Sequence, residues 1–75
     1  MTVKDILQKE SNISKVTFFD KTGKCLDMLT VKFHVPLLLY FYGNKEVIKY
    51  EVCPDPESYS REYKEFLLYV LRITL

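Results

Sequence analysis

Between Glu46 and Cys53 the chain alternates: Val47, Lys49 and Glu51 fall on one side, Ile48, Tyr50 and Val52 on the other. A period of two marks a strand with one face on a core and one toward water or a partner. It predicts Glu46–Cys53 as the central strand of a sheet that the other elements cover. Upstream, Thr2 followed three residues later by Asp5 is a shortened capping box. Val3, Ile6 and Leu7 at helical spacing then predict a short helix over Val3–Lys9, ended by Ser11-Asn12. Lys15–Asp20 is rich in β-branched and aromatic residues and reads as a strand. Lys21-Thr22-Gly23 is a hairpin loop with Gly23 in the left-handed position. Lys24–Lys32 returns as the second strand, with Leu26, Met28 and Thr30 on one face and Cys25, Asp27, Leu29 and Val31 on the other.

Phe33-His34-Val35-Pro36 predicts a turn into a short helix, with Pro36 at a first helical position. Leu37, Leu38 and Phe41 are expected to pack inward, and Gly43-Asn44 to close the helix. Pro54-Asp55-Pro56 stops the following strand, because proline cannot continue a ladder. Two readings of Glu57–Leu75 stay open. Asp55-Pro56-Glu57 is a helix-start signal, and Tyr59, Tyr63, Phe66, Leu67, Val70 and Leu71 would form a helical stripe. The competing reading is a polar loop through Lys64 and a final strand over Glu65–Ile73, favoured by its β-branched and aromatic content. The sequence thus predicts a single α+β domain over residues 1–75. It has a small antiparallel sheet of about four strands, a short N-terminal helix and a short helix between strands two and three. The alternative keeps the C-terminal segment helical.

Size and charge narrow the functional classes. A chain of 75 residues buries only about 60% of its unfolded surface, so its core is marginal without a metal, a disulfide or a partner. Eleven basic residues against ten acidic ones give +1, which is no electrostatic footprint for nucleic acid or an anionic membrane. The N-terminal MTVKDILQKE does not read as a signal peptide, and no apolar run reaches the ~18 residues of a membrane span. The expected location is the cytoplasm. There, two cysteines read as thiols or metal ligands rather than a disulfide.

Cys25, His34 and Cys53 are the only soft ligands for zinc in the chain, and thiolate and imidazole suit that borderline-soft ion. They carry no finger spacing. If topology gathers them they would hold a structural zinc, with Asp27 or Asp55 as an oxygen ligand; otherwise Cys25 and Cys53 are ordinary buried thiols and His34 a surface or capping residue. Of the six tyrosines, Tyr59 and Tyr63 lie in a polar stretch with Arg61 between them. Tyr and Arg dominate binding hot spots, so these three are the candidate partner-binding residues; the competing role is packing back onto the sheet. Asp55, Glu57, Glu62 and Glu65 are expected in a solvated loop. No nucleophile elbow, HExxH or phosphate-cradling loop is present, so no catalytic residue is assigned.

The stretches MTVKDIL, VTFFDKTGKCL and HVPLLLYFYGNKEVIKYEV resemble short phage and prophage proteins of Gram-positive bacteria. The shared order is a capped helix, a hairpin with D-x-x-G-K, a proline-led turn before a short helix, and a closing strand pair; Pro54–Lys64 departs from it. The chain is similar in kind to streptococcal-type anti-CRISPR proteins. That resemblance implies a non-enzymatic, protein-binding inhibitor directed at Cas9, with a structural zinc. A small nucleic-acid-associated phage regulator is the alternative. No active residue carries over, because none of the matched motifs is an active site.

Overall fold

The structure is a computed structural model that describes residues 1–32 and 35–75; Phe33 and His34 enter only as positions within a helix. The chain is α+β. Helix α1 (Val3–Lys9) leads into strands β1 (Ile13–Phe19) and β2 (Cys25–Thr30), then helix α2 (Val31–Tyr42) and β3 (Lys49–Pro54). A 3-10 turn (Pro56–Ser58) and two short strands, β4 (Tyr59–Ser60) and β5 (Glu65–Phe66), precede β6 (Tyr69–Thr74). The main sheet has the order β2-β1-β6-β3, and β4 pairs with β5 in a separate two-stranded ribbon.

The sheet is mixed rather than wholly antiparallel, because β1 and β6 run parallel at its centre. Helix α2 makes this possible. It carries the chain across one face, so that β3 can lie on the far edge and β6 can return between β3 and β1. The strand expected at the centre, β3, is therefore an edge. Its expected alternation is met only in part: Tyr50 packs on the core, but so does Val47 from the side expected to be polar, while Ile48 is 57% and Val52 39% exposed. The central place goes to β6, whose run YVLRIT is more apolar than KYEVCP. The C-terminal alternative resolves as strand, not helix.

The core follows from this order. Val16 and Phe18 of β1 stand opposite Leu71 and Ile73 of β6, and Val3, Ile6 and Leu38 cover them from the two helices. These seven are the fully buried side chains among the described residues. Tyr42 stacks on Phe18 at 4.1 Å between ring centres, and its hydroxyl donates to Asp27 Oδ2 at 3.1 Å. Burial, then that contact with the Asp27 carboxylate, raises the Tyr42 pKa.

Local signals set the remaining elements. The capping box of α1 forms: Asp5 N–H donates to Thr2 Oγ1, and Thr2 N–H to the Asp5 carboxylate. The first-turn N–H groups of Val3 and Lys4 donate to the carbonyls of Lys45 and Gly43, which ties α1 to the end of α2. At the end of α2 a Cβ on Gly43 would sit 2.4 Å from the Leu39 carbonyl oxygen, so glycine fits there where a side chain would not. Gly23 takes φ 89° in the β1–β2 turn. Asp20 Oδ1 accepts there from the N–H groups of Thr22 and Lys24 and from the Thr22 hydroxyl.

Helix α2 starts at Val31, five residues before the expected proline, so Pro36 lies inside it. At the sixth of its twelve positions Pro36 forfeits one intrahelical N–H donor in the helix interior, where proline is costly. The earlier start also turns the helix. Leu38, with Val31 and Tyr42, faces the sheet, while Leu37 and Phe41, expected inward, point out.

Phe18→Ala removes the largest fully buried side chain and is expected to cost about 3–5 kcal/mol. Denaturant unfolding checks this. A loss below about 1 kcal/mol would place the core elsewhere.

Candidate partner-binding surface

The chain between β3 and β6 leaves the sheet as an arm, and a buried carboxylate holds its base. Asp55 is only 4% exposed. Its Oδ2 accepts from the Ser14 hydroxyl at 2.7 Å, and its Oδ1 accepts from Glu57 N–H at 3.0 Å, capping the 3-10 turn. Asp55 N–H donates to the Leu68 carbonyl. Ser14 can reach Asp55 because the β1–β6 register shifts between Ile13 and Lys15, leaving Ser14 beside the Tyr69 carbonyl at 3.2 Å. The Ser14 hydrogen bond, then that from Glu57, lowers the Asp55 pKa, with Lys15 adding a smaller pull against desolvation.

Ser58 closes the neck. Its hydroxyl accepts from Leu68 N–H at 2.9 Å and lies within donating distance of the carbonyls of Asp55 and Leu68. The Ser58 carbonyl accepts from Leu67 N–H. Lys15 Nζ sits 3.7 Å from Glu57, a surface pair worth about 0–1 kcal/mol.

Beyond this neck β4 and β5 form a small hairpin with Tyr59 opposite Phe66 and Ser60 opposite Glu65. The Tyr59 and Phe66 rings meet edge to face at 5.1 Å. Residues 61–64 make the turn, with Lys64 at φ 55° and Tyr63 N–H donating to Ser60 Oγ. Tyr63 is 64% exposed, and Tyr59, Phe66, Leu67 and Leu68 are also exposed. The structure therefore brings Tyr59, Arg61 and Tyr63 together on one hairpin, and neither tyrosine belongs to the core. The arm also lengthens the molecule. Its radius of gyration is 12.5 Å, against about 11 Å for a compact chain of this length.

Phe66, Leu67 and Leu68 complete this surface; from the sequence they read as a helical stripe or a buried strand and not as contact residues. Their apolar run reads equally well as part of a buried strand. Asp55 was expected in a solvated acidic loop, and its Asp-Pro-Glu helix-start signal is met by one 3-10 turn. The long-range bond to Ser14 has no local signature.

Two of the three expected zinc ligands, Cys25 and Cys53, are held apart. Cys25 and Cys53 lie on the two outer strands with β1 and β6 between them, about 14 Å apart across the sheet at about 4.8 Å per strand. They also sit at opposite ends. Cys25 aligns with Phe19 and Thr74, whereas Cys53 aligns with Val70 and Lys15. Two thiolates on one zinc, each about 2.3 Å from the ion, need side chains in contact, so Cys25 and Cys53 of one chain do not share an ion. His34 lies outside the described residues. Asp27 and Asp55, the possible oxygen ligands, are engaged by Tyr42 and by Ser14. Among the described residues no three His, Cys, Asp or Glu side chains gather as for a metal.

On the face of the sheet away from the helices, Arg72 sits 5.0 Å from the Phe19 ring centre and 3.5 Å from Glu51. Beside it is a cavity of about 280 Å³ lined by Phe19, Lys21, Lys49, Glu51 and Arg72 among others. Carboxylates thus already pair with Arg72 and Lys15, two cations of this face. Among the described residues no helix is long and apolar enough to cross a membrane.

Two solution measurements test this geometry. A depressed carboxyl contributes stability above its ordinary titration range and loses it as pH falls through the folded-state value. Asp55→Asn is therefore expected to melt lower than wild type at neutral pH, with the gap closing as pH drops below the ordinary aspartate value of 3.8. A gap independent of pH would remove the charge from the account. Chelation of metal-free-purified protein is expected to leave the melting temperature unchanged; a fall would mean that a metal contributes to the fold. No family model matches the chain, and no curated protein or solved structure matches it.

Proposed function

We propose that this protein is a small, non-enzymatic binding protein that engages a protein partner through the β4–β5 arm. One observation carries the reading. The base of the arm is locked by the buried Asp55, while its far end offers Tyr59, Arg61 and Tyr63 to solvent beside Phe66 and Leu67. A rigid neck lowers the conformational entropy lost on docking, and tyrosine supplies contact area through few rotatable bonds. The specific partner we propose is Cas9 in a bacterial cytoplasm, which follows from the resemblance to streptococcal-type anti-CRISPR proteins. Metal forms no part of the proposal.

The alternative, a nucleic-acid-associated phage regulator, would use the open face of the sheet. On that face Glu51 and Glu57 pair with Arg72 and Lys15 and Asp20 stands at the same cavity as Lys21 and Lys49, so carboxylates are interspersed among the cations that would meet phosphates. It is the weaker reading.

A target-DNA cleavage assay with Cas9, run beside direct binding to Cas9, tests the proposal. Wild-type protein is expected to bind and to protect the target. Tyr59→Ala, Arg61→Ala and Tyr63→Ala should together weaken binding at least about tenfold while circular dichroism stays unchanged. No binding by the wild type rejects Cas9 as the partner. Undiminished binding by the triple variant rejects the arm as the contact. A low-salt gel shift with single- or double-stranded DNA would favour the regulator instead.

A further inference from the structure

The sheet has two outer strands, and they are finished differently. On β2 the strand's own side chains reach its backbone: Met28 N–H donates to Asp27 Oδ1 at 2.8 Å, and the Cys25 thiol lies 3.8 Å from the Asp27 carbonyl. The outer edge of β3 has nothing of the kind. Among the described residues, the backbone of 49–53 meets only β6. Helix α2 packs mainly on β1 and β2. The chain also bends at Ile48, which takes Glu46, Val47 and the Met1 carbonyl bonded to Val47 off the line of the strand. An edge in this state presents unpaired N–H and C=O groups, a template for one more strand.

The side chains of the edge select that strand. Lys49 and Glu51 are exposed and stand two positions apart on one face, opposite Thr74 and Arg72. Residues directly opposed in antiparallel strands attract when their charges differ and repel when they match. A second copy of β3 laid antiparallel about a two-fold axis at Tyr50 sets Lys49 of each copy against Glu51 of the other, so the attractive pair occurs twice. Moving the axis one residue either way sets Glu51 against Glu51 or Lys49 against Lys49. The same register brings Val52 of each copy to Ile48 of the other, and both are exposed apolar side chains. From Ile48 to Val52 the chain runs apolar, basic, aromatic, acidic, apolar, a pattern complementary to its own reverse. A lysine alone on an edge wards off a second strand; the glutamate two residues on makes it half of a pair. Tyr50, at the axis, donates its hydroxyl to Glu10 of its own chain and packs on its own core.

We propose that this protein forms a two-fold dimer through β3, which joins two four-stranded sheets edge to edge. A contact of this kind uses the same surface on both copies and so stops at two. Glu51 keeps Arg72 at 3.5 Å within its own chain and gains Lys49 across the interface. The inference is independent of the proposed partner, since the arm starts beyond Asp55.

Sedimentation equilibrium over the micromolar range, with circular dichroism alongside, tests it. The wild type is expected at twice the 8.9 kDa chain mass. Lys49→Glu and Glu51→Lys each set two like-charge pairs across the axis, and each is expected to weaken the dimer about tenfold or more with an unchanged spectrum. Mixed in equal amounts, the two variants are expected to pair with each other, because one carries carboxylates at both positions and the other ammonium groups. That recovery depends on the register, and misfolded variants would not show it. A wild type at the single-chain mass overturns the proposal. So do single variants as dimeric as the wild type, or a mixture that stays at the single-chain mass. So does a single-chain wild type whose β3 amides gain exchange protection only when Cas9 is added, because a strand of that protein would then be the occupant.

Discussion

The parallel pairing of β1 with β6 is the constraint on which the rest of the structure depends. It joins segments from opposite ends of the chain, with Ile13 opposite Tyr69 and Phe19 opposite Thr74. It also sets side by side the four strand residues that are fully buried, Val16, Phe18, Leu71 and Ile73. Nothing local holds these strands together, so the loop-closure cost must be offset by the core they create. The helices supply the other half. Both lie on the face that presents Phe18, and α1 is tied to the end of α2 by backbone hydrogen bonds to Gly43 and Lys45.

That same pairing decides what the protein can present. The register shift at its start frees Ser14 to meet Asp55. The chain between β3 and β6 therefore leaves the sheet as a fixed arm rather than a free loop. A buried carboxylate without partners would be costly; this one is satisfied from β1 and from the 3-10 turn, so its burial specifies the position of the arm. With seven fully buried side chains among the described residues, the domain keeps little apolar surface for itself. Much of it remains on the arm and on the outer side of α2.

How much of this the sequence disclosed depended on how local each cause was. Thr2 and Asp5 declare the α1 cap within three residues, and Gly23 declares its turn; both are found as read. The arrangement of a helix between strands two and three was also legible. The rank of each strand was not. Glu46–Cys53 alternates well enough to look central, but centrality depends on which strand β6 chooses to join, and no pattern in either segment records that. Pro36 misled because it suits a helix start, while the helix had begun at Val31; the shift carried Leu37 and Phe41 from the expected core to the surface. Tyr59, Arg61 and Tyr63 were marked by residue type alone; the local β4–β5 pairing that sets them on one hairpin lies in a stretch that reads as a polar loop. Cys25 and Cys53 could be brought together on paper only while the strand order was unknown.

The central claim is that the arm is held in place before any partner arrives. Native-state amide hydrogen exchange measures this directly, because local opening is reported residue by residue. The account predicts clear protection for the amides of Asp55, Leu67 and Leu68, whose N–H groups donate to Leu68, Ser58 and the Ser58 hydroxyl. Exchange of these three amides at the rate of an unstructured chain, with Leu71 and Ile73 still protected, would contradict it.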